Sequence, residues 1–113
     1  GQVKSIAPLL ERLPPQKRGE LLRLSVQDHY TEIVTTRGHQ LVLLRFADAL
    51  KEIGLTEGLQ VHRSHWIAIS DVVSLRKQAG RLHVITRDGS EIPVSRSHSA
   101  AVQARFAAHT PAG

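Results

Sequence analysis

A β-hairpin pattern in the first half of the chain constrains its fold most strongly. Tyr30–Thr36 is rich in β-branched residues, which fit the pleated surface of a strand. Arg37-Gly38 follows as a two-residue turn, in which the glycine supplies the positive φ that such turns need. His39–Arg45 then has the character of a return strand. This pattern predicts two antiparallel strands joined by a tight turn.

Further short segments have the composition of strands and are separated by turn residues. They are Glu20–Val26, Leu59–Val61, Val72–Lys77, Arg81–Thr86 and Glu91–Val94. Pro93 has no backbone N–H to donate, so the last of these strands should lie at a sheet edge or end early. The chain as a whole is therefore expected to be mainly β.

Two segments change to helical spacing. In Phe46–Ile53, apolar residues recur at i, i+3, i+4 and i+7, which predicts one short internal helix, closed by a left-handed Gly54. Ala100–Phe106 predicts a C-terminal helix with Ser97 or Ser99 as its N-cap. The fold class expected from the sequence is mainly β, with antiparallel sheets, one internal helix and one C-terminal helix.

The length of 113 residues suits one domain with a real core and is too short for two ordinary ones. Residues 1–18 are interpreted as a lead-in or linker, in which a short helix over Ile6–Leu13 is stopped by Pro14-Pro15. The domain proper is expected over residues 19–108, and residues 109–113 are expected to fray.

The charge balance points to a class of partner. Fifteen Lys and Arg against ten Asp and Glu give a net charge of +5 and a pI near 10.5. A basic domain of this size either binds a polyanion such as nucleic acid or simply has a basic surface. The aromatic content of 4% argues against a platform on which single-stranded bases stack.

Several absences narrow the setting. No run of about 18 apolar residues and no secretory signal are visible. With no cysteine, disulfides and thiolate zinc sites are excluded. These features are compatible with a cytoplasmic location.

Three polar clusters fall where predicted strands end. They are Gln27-Asp28-His29, His62-Arg63-Ser64-His65 and Ser95-Arg96-Ser97-His98. Imidazole, guanidinium and hydroxyl groups together offer hydrogen bonds to phosphate oxygens and base edges. The second cluster is followed by Trp66, Ile67 and Ile69, which are expected to anchor it. The clusters are either parts of one binding surface or three unrelated polar loops.

The order of these clusters resembles the LytTR-type DNA-binding domain of bacterial transcriptional regulators. The resemblance covers roughly residues 19–106 and rests on these segments: Asp28-His29-Tyr30, the internal helix, Val61-His62-Arg63-Ser64, and Gly89 to Arg96 with its Ile-Pro-Val-Ser-Arg ending. Two positions depart from the family pattern. Ala68 stands where Asn is frequent, and His65-Trp66 where a tyrosine and an aliphatic residue are common.

The resemblance implies an elongated all-β domain that inserts strand-connecting loops, not a recognition helix, into successive major grooves. The residues that match the family's base-contacting positions are His29, Arg63 and Arg96. An arginine can donate two parallel hydrogen bonds to O6 and N7 of guanine. The residues expected to contact the DNA backbone are Ser64, Ser97, His65, Arg37 and Lys77. Other arginines either add attraction to phosphates or form a solvated basic face: Arg23, Arg45, Arg76 and Arg81.

Two rival functions remain open at this point. A histidine-based metal site would use His62 and His65, but residues three apart on a strand point to opposite faces, so this pair suits only a helix or a tight turn. A basic protein-interaction module without its own operator is the other rival. No catalysis, metal or cofactor is expected, since the sequence lacks a Gly-x-Ser-x-Gly elbow and a phosphate-binding glycine motif.

The resemblance also implies a setting. Such modules usually carry a sensor or receiver domain, so a missing N-terminal part is expected, and it is either soluble or embedded in a membrane. The expected partner is double-stranded DNA with directly repeated half-sites, on which two copies meet.

Overall fold

The structure is a computed structural model that describes residues 7–106. The chain divides into two compact units, Gly1–Glu57 and Gly58–Gly113, which we call the first and the second unit. The predicted frayed tail, residues 109–113, and Ile6 of the predicted N-terminal helix lie outside the described residues.

The first unit is built around three antiparallel strands. They are β1 (Leu21–Gln27), β2 (Tyr30–Thr35) and β3 (Gly38–Val42), with β2 between the other two. Ile33 at the centre of β2 lies opposite Leu24 of β1 and is fully buried. The sequence correctly predicted the β2–β3 hairpin, but the two-residue turn is Thr36-Arg37 and not Arg37-Gly38, because Gly38 pairs with Thr35 as the first residue of β3.

Two buried threonines complete this sheet. Thr31 and Thr35 share a face of β2 with Ile33, and their hydroxyls donate to the carbonyls of Leu44 and Lys17, both at 2.7 Å. These bonds satisfy polar groups that would otherwise destabilise the core. The strand predicted over His39–Arg45 is shorter, because β3 ends at Val42 and the Leu44 carbonyl is bound by a side chain instead of a neighbouring strand.

The N-terminal segment of the first unit forms two 3-10 helices, Pro8–Arg12 and Pro15–Lys17. Leu9 and Leu13 are buried. Arg12 donates to both carboxylate oxygens of Glu52, at 2.8 and 2.9 Å. The described part of the predicted lead-in therefore packs within the first unit.

The internal helix α1 spans Phe46–Leu50 and is shorter than predicted. After Leu50 the N–H groups of Lys51 and Glu52 donate to the carbonyls three residues earlier, so a tighter turn replaces the α-helical pattern, and the Glu52 carbonyl accepts the N–H of Leu9. Gly54 has the left-handed conformation expected of it, with φ +63°.

The second unit contains a hairpin, a three-stranded sheet and a helix. The hairpin pairs β4 (Gly58–His62) with β5 (His65–Ala68). A 3-10 turn leads into the sheet, whose strands are β6 (Val72–Gln78), β7 (Arg81–Thr86) and β8 (Glu91–Pro93), with β7 in the middle. The helix α2 spans Arg96–Arg105. As Pro93 predicts, β8 is an edge strand of this sheet.

The core of the second unit joins all of these elements. Its fully buried residues come from β4, β5, β7, α2 and the residue that follows α2: Val61, Ile67, Val84, Val102 and Phe106. The predicted fold class is confirmed, since residues 7–106 consist mainly of antiparallel strands, with the short internal helix α1 and the C-terminal helix α2. In the described part of the chain, none of the helices is both long and apolar enough to cross a membrane.

Candidate nucleic-acid interface

His29 lies in the two-residue turn between β1 and β2. Asp28 precedes it with a left-handed backbone, φ +56°, a conformation that Asp tolerates better than most residues. His29 is exposed and lines a cleft of about 480 Å³ together with Tyr30, Leu43 and Phe46. Its ring makes no hydrogen bond within the described residues and is therefore available to an outside partner.

Arg63 lies in the two-residue turn between β4 and β5, and this turn is held by its neighbours. The Nδ1 atom of His62 accepts a hydrogen bond from the N–H of Ser64 at 3.1 Å. The rings of His62 and His65 meet edge to face, with centroids 5.3 Å apart. Gln60 adds a bond from its Nε2 to the His62 carbonyl at 3.1 Å. These contacts hold the turn that presents the exposed Arg63 side chain.

The apolar residues that follow this turn anchor it, as the sequence predicts. Trp66 is 3% exposed and Ile67 is fully buried. On the partner strand Val61 is also fully buried. The polar tip of the hairpin is thus attached directly to the core of the second unit.

Arg96 has a different setting from the expected one. It is the first residue of α2, not part of a strand-end loop, and Ser97 is the second. The N-cap is Ser95, so the prediction of Ser97 or Ser99 was wrong. The Ser95 backbone N–H donates to the Val61 carbonyl at 3.0 Å, and its Oγ lies 2.6 Å from Nδ1 of His98. Both contacts fix the helix start at this residue.

The Ser95–Val61 bond also brings the second and third polar clusters together within the second unit. His62 and Arg96 line the same groove of about 420 Å³. Ser64, half-buried, and His65 belong to the hairpin, whereas Ser97 is exposed on the helix. His29 and Arg37 belong to the first unit.

The basic residues fall into two groups. Some are engaged within the protein, such as Arg76, which lies 3.1 Å from Glu91 in an ion pair across the sheet. Whether Arg76 also attracts a phosphate stays a prediction. Six cationic side chains make no hydrogen bond, ion pair or ring contact within the described residues: Arg37, Arg45, Arg63, Lys77, Arg81 and Arg96. Their charge is available to an external anion.

The sequence named Arg81 only as one of several basic residues and did not predict that Arg81 and His83 line the same groove. Arg81 and His83 of β7 line it together with Lys77. They alternate with the buried Leu82 and Val84, so period-two alternation was the signal that could have placed them on the solvent face.

The two histidines considered as metal ligands flank a tight turn, the one strand-associated arrangement in which they can approach each other. His62 uses Nδ1 to accept the N–H of Ser64, and that atom is already engaged. No group of three or more His, Asp or Glu suited to a metal ion occurs among residues 7–106.

Comparison with known proteins identifies the family. The model of the LytTr DNA-binding domain matches residues 17–107. The heme-containing CO-sensing transcriptional regulator RcoM 1 of Paraburkholderia xenovorans is 30% identical over 101 residues, which are 80% of this chain and 38% of that protein. RcoM 2 of the same organism is 32% identical over 83 residues, 72% of this chain and 31% of that protein. The chain thus spans about a third of the length of these relatives.

A solved structure has the same fold. The LytTr DNA-binding domain of a protein from Bacillus cereus superimposes with a TM-score of 0.65 at 14% identity, over 81% of this chain and 83% of that one. The family model covers most of the chain, including the elements that carry all three polar clusters. This chain therefore belongs to the LytTr DNA-binding domain family.

Proposed function

We propose that this chain binds double-stranded DNA sequence-specifically in transcriptional regulation, with His29, Arg63 and Arg96 contacting base edges. The observation that carries the proposal is that the side chains of Arg63 and Arg96 are available to an outside partner. Both are exposed, neither has a partner within the described residues, and the Ser95–Val61 bond joins the hairpin of one to the helix of the other. Free guanidinium groups on a well-packed scaffold suit bidentate recognition of guanine.

The backbone contacts in this proposal are made by Ser64, Ser97, His65, Arg37 and Lys77. Arg37 and Lys77 are exposed and have no intramolecular partner in the described part of the chain, so each can approach a phosphate without breaking an ion pair. Such contacts position the protein on the duplex, while the base contacts supply specificity. Arg63 would enter the major groove from a turn and Arg96 from the first turn of a helix.

The relatives suggest the wider setting of this function. Their names describe transcriptional regulators, and this chain matches 31 to 38% of their length. We therefore assign the chain the DNA-binding role in a longer regulator of the bacterial cytoplasm, whose input is received by a sensor, receiver or membrane domain. Two copies on directly repeated half-sites complete the proposal. Haem and CO sensing are not carried over, and no catalytic step is involved.

Selection of bound duplexes from a random library, followed by arginine variants, tests the proposal. In Arg63→Ala and Arg96→Ala, we expect a loss of about 1–3 kcal/mol in discrimination at separate base positions, because each removes one bidentate contact. Binding to random duplex should fall much less. Arg76→Ala is the matched control, since Arg76 is engaged by Glu91. Unchanged preference for the selected site in Arg96→Ala would show that Arg96 does not read bases.

A further inference from the structure

The second unit contains a groove of about 420 Å³ whose walls come from three separate parts of the sequence. His62 lies at the end of β4, Lys77, Arg81 and His83 lie on the β6–β7 hairpin, and Ser95 and Arg96 begin α2. Residues distant in sequence thus surround one concave surface.

The groove is strongly cationic and its charges are not neutralised. Lys77, Arg81 and Arg96 are exposed and have no intramolecular partner among the described residues. No acidic residue lines this groove in the described part of the chain. The nearby contrast is Arg76, which is paired with Glu91 and is absent from the lining. Like charges held together without a counter-ion repel one another, and a bound anion relieves that repulsion.

The start of α2 adds a second attraction for an anion. No side chain caps the first turn of this ten-residue helix, because the Ser95 hydroxyl is directed to His98 instead. The first N–H groups of a helix and its dipole both favour negative charge. Arg96, the first residue of α2, lines the groove, and its N–H is among these groups.

One residue of the lining, His83, has a buried nitrogen without a protein partner in the described part of the chain. The Nδ1 atom of His83 is buried and has no hydrogen-bond partner within the described residues. A buried polar atom without a partner is costly, and such atoms in native structures usually bond to water or a ligand. Because this atom is itself buried, it is not counted among the ligands of an anion in the groove.

From the shape of the groove, its unpaired charges and the helix start, we infer that the groove binds one phosphate group, with His62, Lys77, Arg81 and the start of α2 as its ligands. The source that fits best is a phosphodiester of the DNA backbone, and in this respect the inference rests on the proposed function. Contact there would hold the first turn of α2 against the duplex, directly beside Arg96. The same chemistry would also accept a free phosphate.

Substitution of Arg81 on β7 tests whether the bound phosphate belongs to the DNA backbone. The wild type and Arg81→Gln are compared for binding to the selected duplex between about 50 and 200 mM salt. We expect the plot of log affinity against log salt to become shallower by about 0.9 in Arg81→Gln, the change for one lost phosphate contact. Lys77→Gln should behave alike. Arg76→Gln removes the same charge from the same solvent face but is expected to keep the wild-type slope.

Titration with inorganic phosphate tests whether the groove binds a free phosphate ion. Backbone amide NMR signals of Ser95, Arg96 and Ser97 should shift saturably in the wild type and remain still in Arg81→Gln. Such shifts with an unchanged DNA slope would mean that the groove takes a free phosphate. An unchanged slope together with no saturable shift overturns the inference. If selection yields no preferred duplex, the proposed function fails, and the phosphate titration still decides whether the groove binds an anion.

Discussion

Ala79 has an unfavourable backbone conformation for its residue type. It lies in the β6–β7 turn with φ +54°, followed by Gly80 with φ +77°. A left-handed backbone costs a residue with a Cβ roughly 1–2 kcal/mol of stability, and Asn tolerates this conformation best. We expect Ala79→Asn to stabilise the protein by about 0.5–1 kcal/mol, because Asn-Gly suits a turn with two positive φ angles. The midpoint of urea unfolding measures the change.

Gly80→Ala provides the opposite test in the same turn. A Cβ added at Gly80 meets no atom within 4 Å, so the substitution creates no clash. Any loss of stability must come from the backbone, and we expect about 1–2 kcal/mol. Equal stability of Ala79→Asn, Gly80→Ala and the wild type would mean that the turn does not hold this conformation in solution.

At the level of elements, the pairing of β4 with β5 depends on Gly58. It lies opposite Ala68, and a Cβ at this position would overlap the Trp66 indole and the Ile67 carbonyl. Gly58→Ala should destabilise the protein by about 1–3 kcal/mol, the usual cost of overpacking a tight site.

A double-mutant cycle identifies the cause of the Gly58→Ala loss. Trp66→Phe removes the ring atoms that the new methyl group would overlap. The cost of Gly58→Ala should therefore be smaller in the Trp66→Phe background, with a coupling energy of at least about 0.5 kcal/mol. Strict additivity of the two substitutions in urea unfolding would exclude the indole as the cause.

The Arg12–Glu52 ion pair ties the first 3-10 helix to the segment after α1. Hydrogen bonds from Arg12 hold the pKa of Glu52 below its ordinary value. A carboxylate with a lowered folded pKa stabilises the protein above its unfolded pKa, about 4.3 for Glu, and loses this effect as the pH falls through the folded pKa. Both side chains are partly exposed, at 42% and 25%, so the effect is small.

Thermal unfolding as a function of pH measures this effect. Glu52→Gln should melt below the wild type at neutral pH and converge with it in acid. Glu11→Gln is the control, because the Glu11 side chain makes no hydrogen bond or ion pair in the described part of the chain. A difference between Glu52→Gln and the wild type that persists unchanged into strong acid would contradict the linkage.

The helices show what the sequence could and could not predict about the elements. Strands such as β2 are visible in the sequence because β-branched residues mark them locally. The end of α1 and the start of α2 lie beside contacts with residues far along the chain, which the sequence does not reveal. The Leu9 N–H donates to the Glu52 carbonyl, and the Ser95 N–H donates to the Val61 carbonyl. By residue type, several serines near residues 95–99 suit an N-cap equally well. The sequence does not show that Ser95 contacts Val61, so it could not identify Ser95 as the N-cap.

For the candidate site, the sequence predicted the positions of some residues but not how they come together. The sequence placed His29 and Arg63 correctly in turns, because the polar cluster that contains each of them directly follows a strand pattern. The groove was not predictable, because it combines β4, the β6–β7 hairpin and α2, and their proximity is a property of tertiary packing. Whether these residues contact DNA stays a prediction.

For the whole molecule, the positive charge is unevenly divided between the two units. The second unit has seven Arg and Lys against three Asp and Glu, a net charge of +4, whereas the first has eight against seven. The excess of +5 therefore belongs almost entirely to the unit that contains Arg63, Arg96 and the groove. A duplex should meet its strongest attraction there.

The salt dependence of binding by the whole chain follows from the six cations without intramolecular partners. Because Arg63 and Arg96 are assigned to base edges, the other four are available for phosphates, and the slope of log affinity against log salt should be about −3.6 if all four contact one. Arg76→Gln combined with Glu91→Gln removes an ion pair without changing the net charge, and its slope should match the wild type. A wild-type slope shallower than about −2 would mean that most of these side chains stay in solvent when DNA binds, because each released counterion contributes about 0.9.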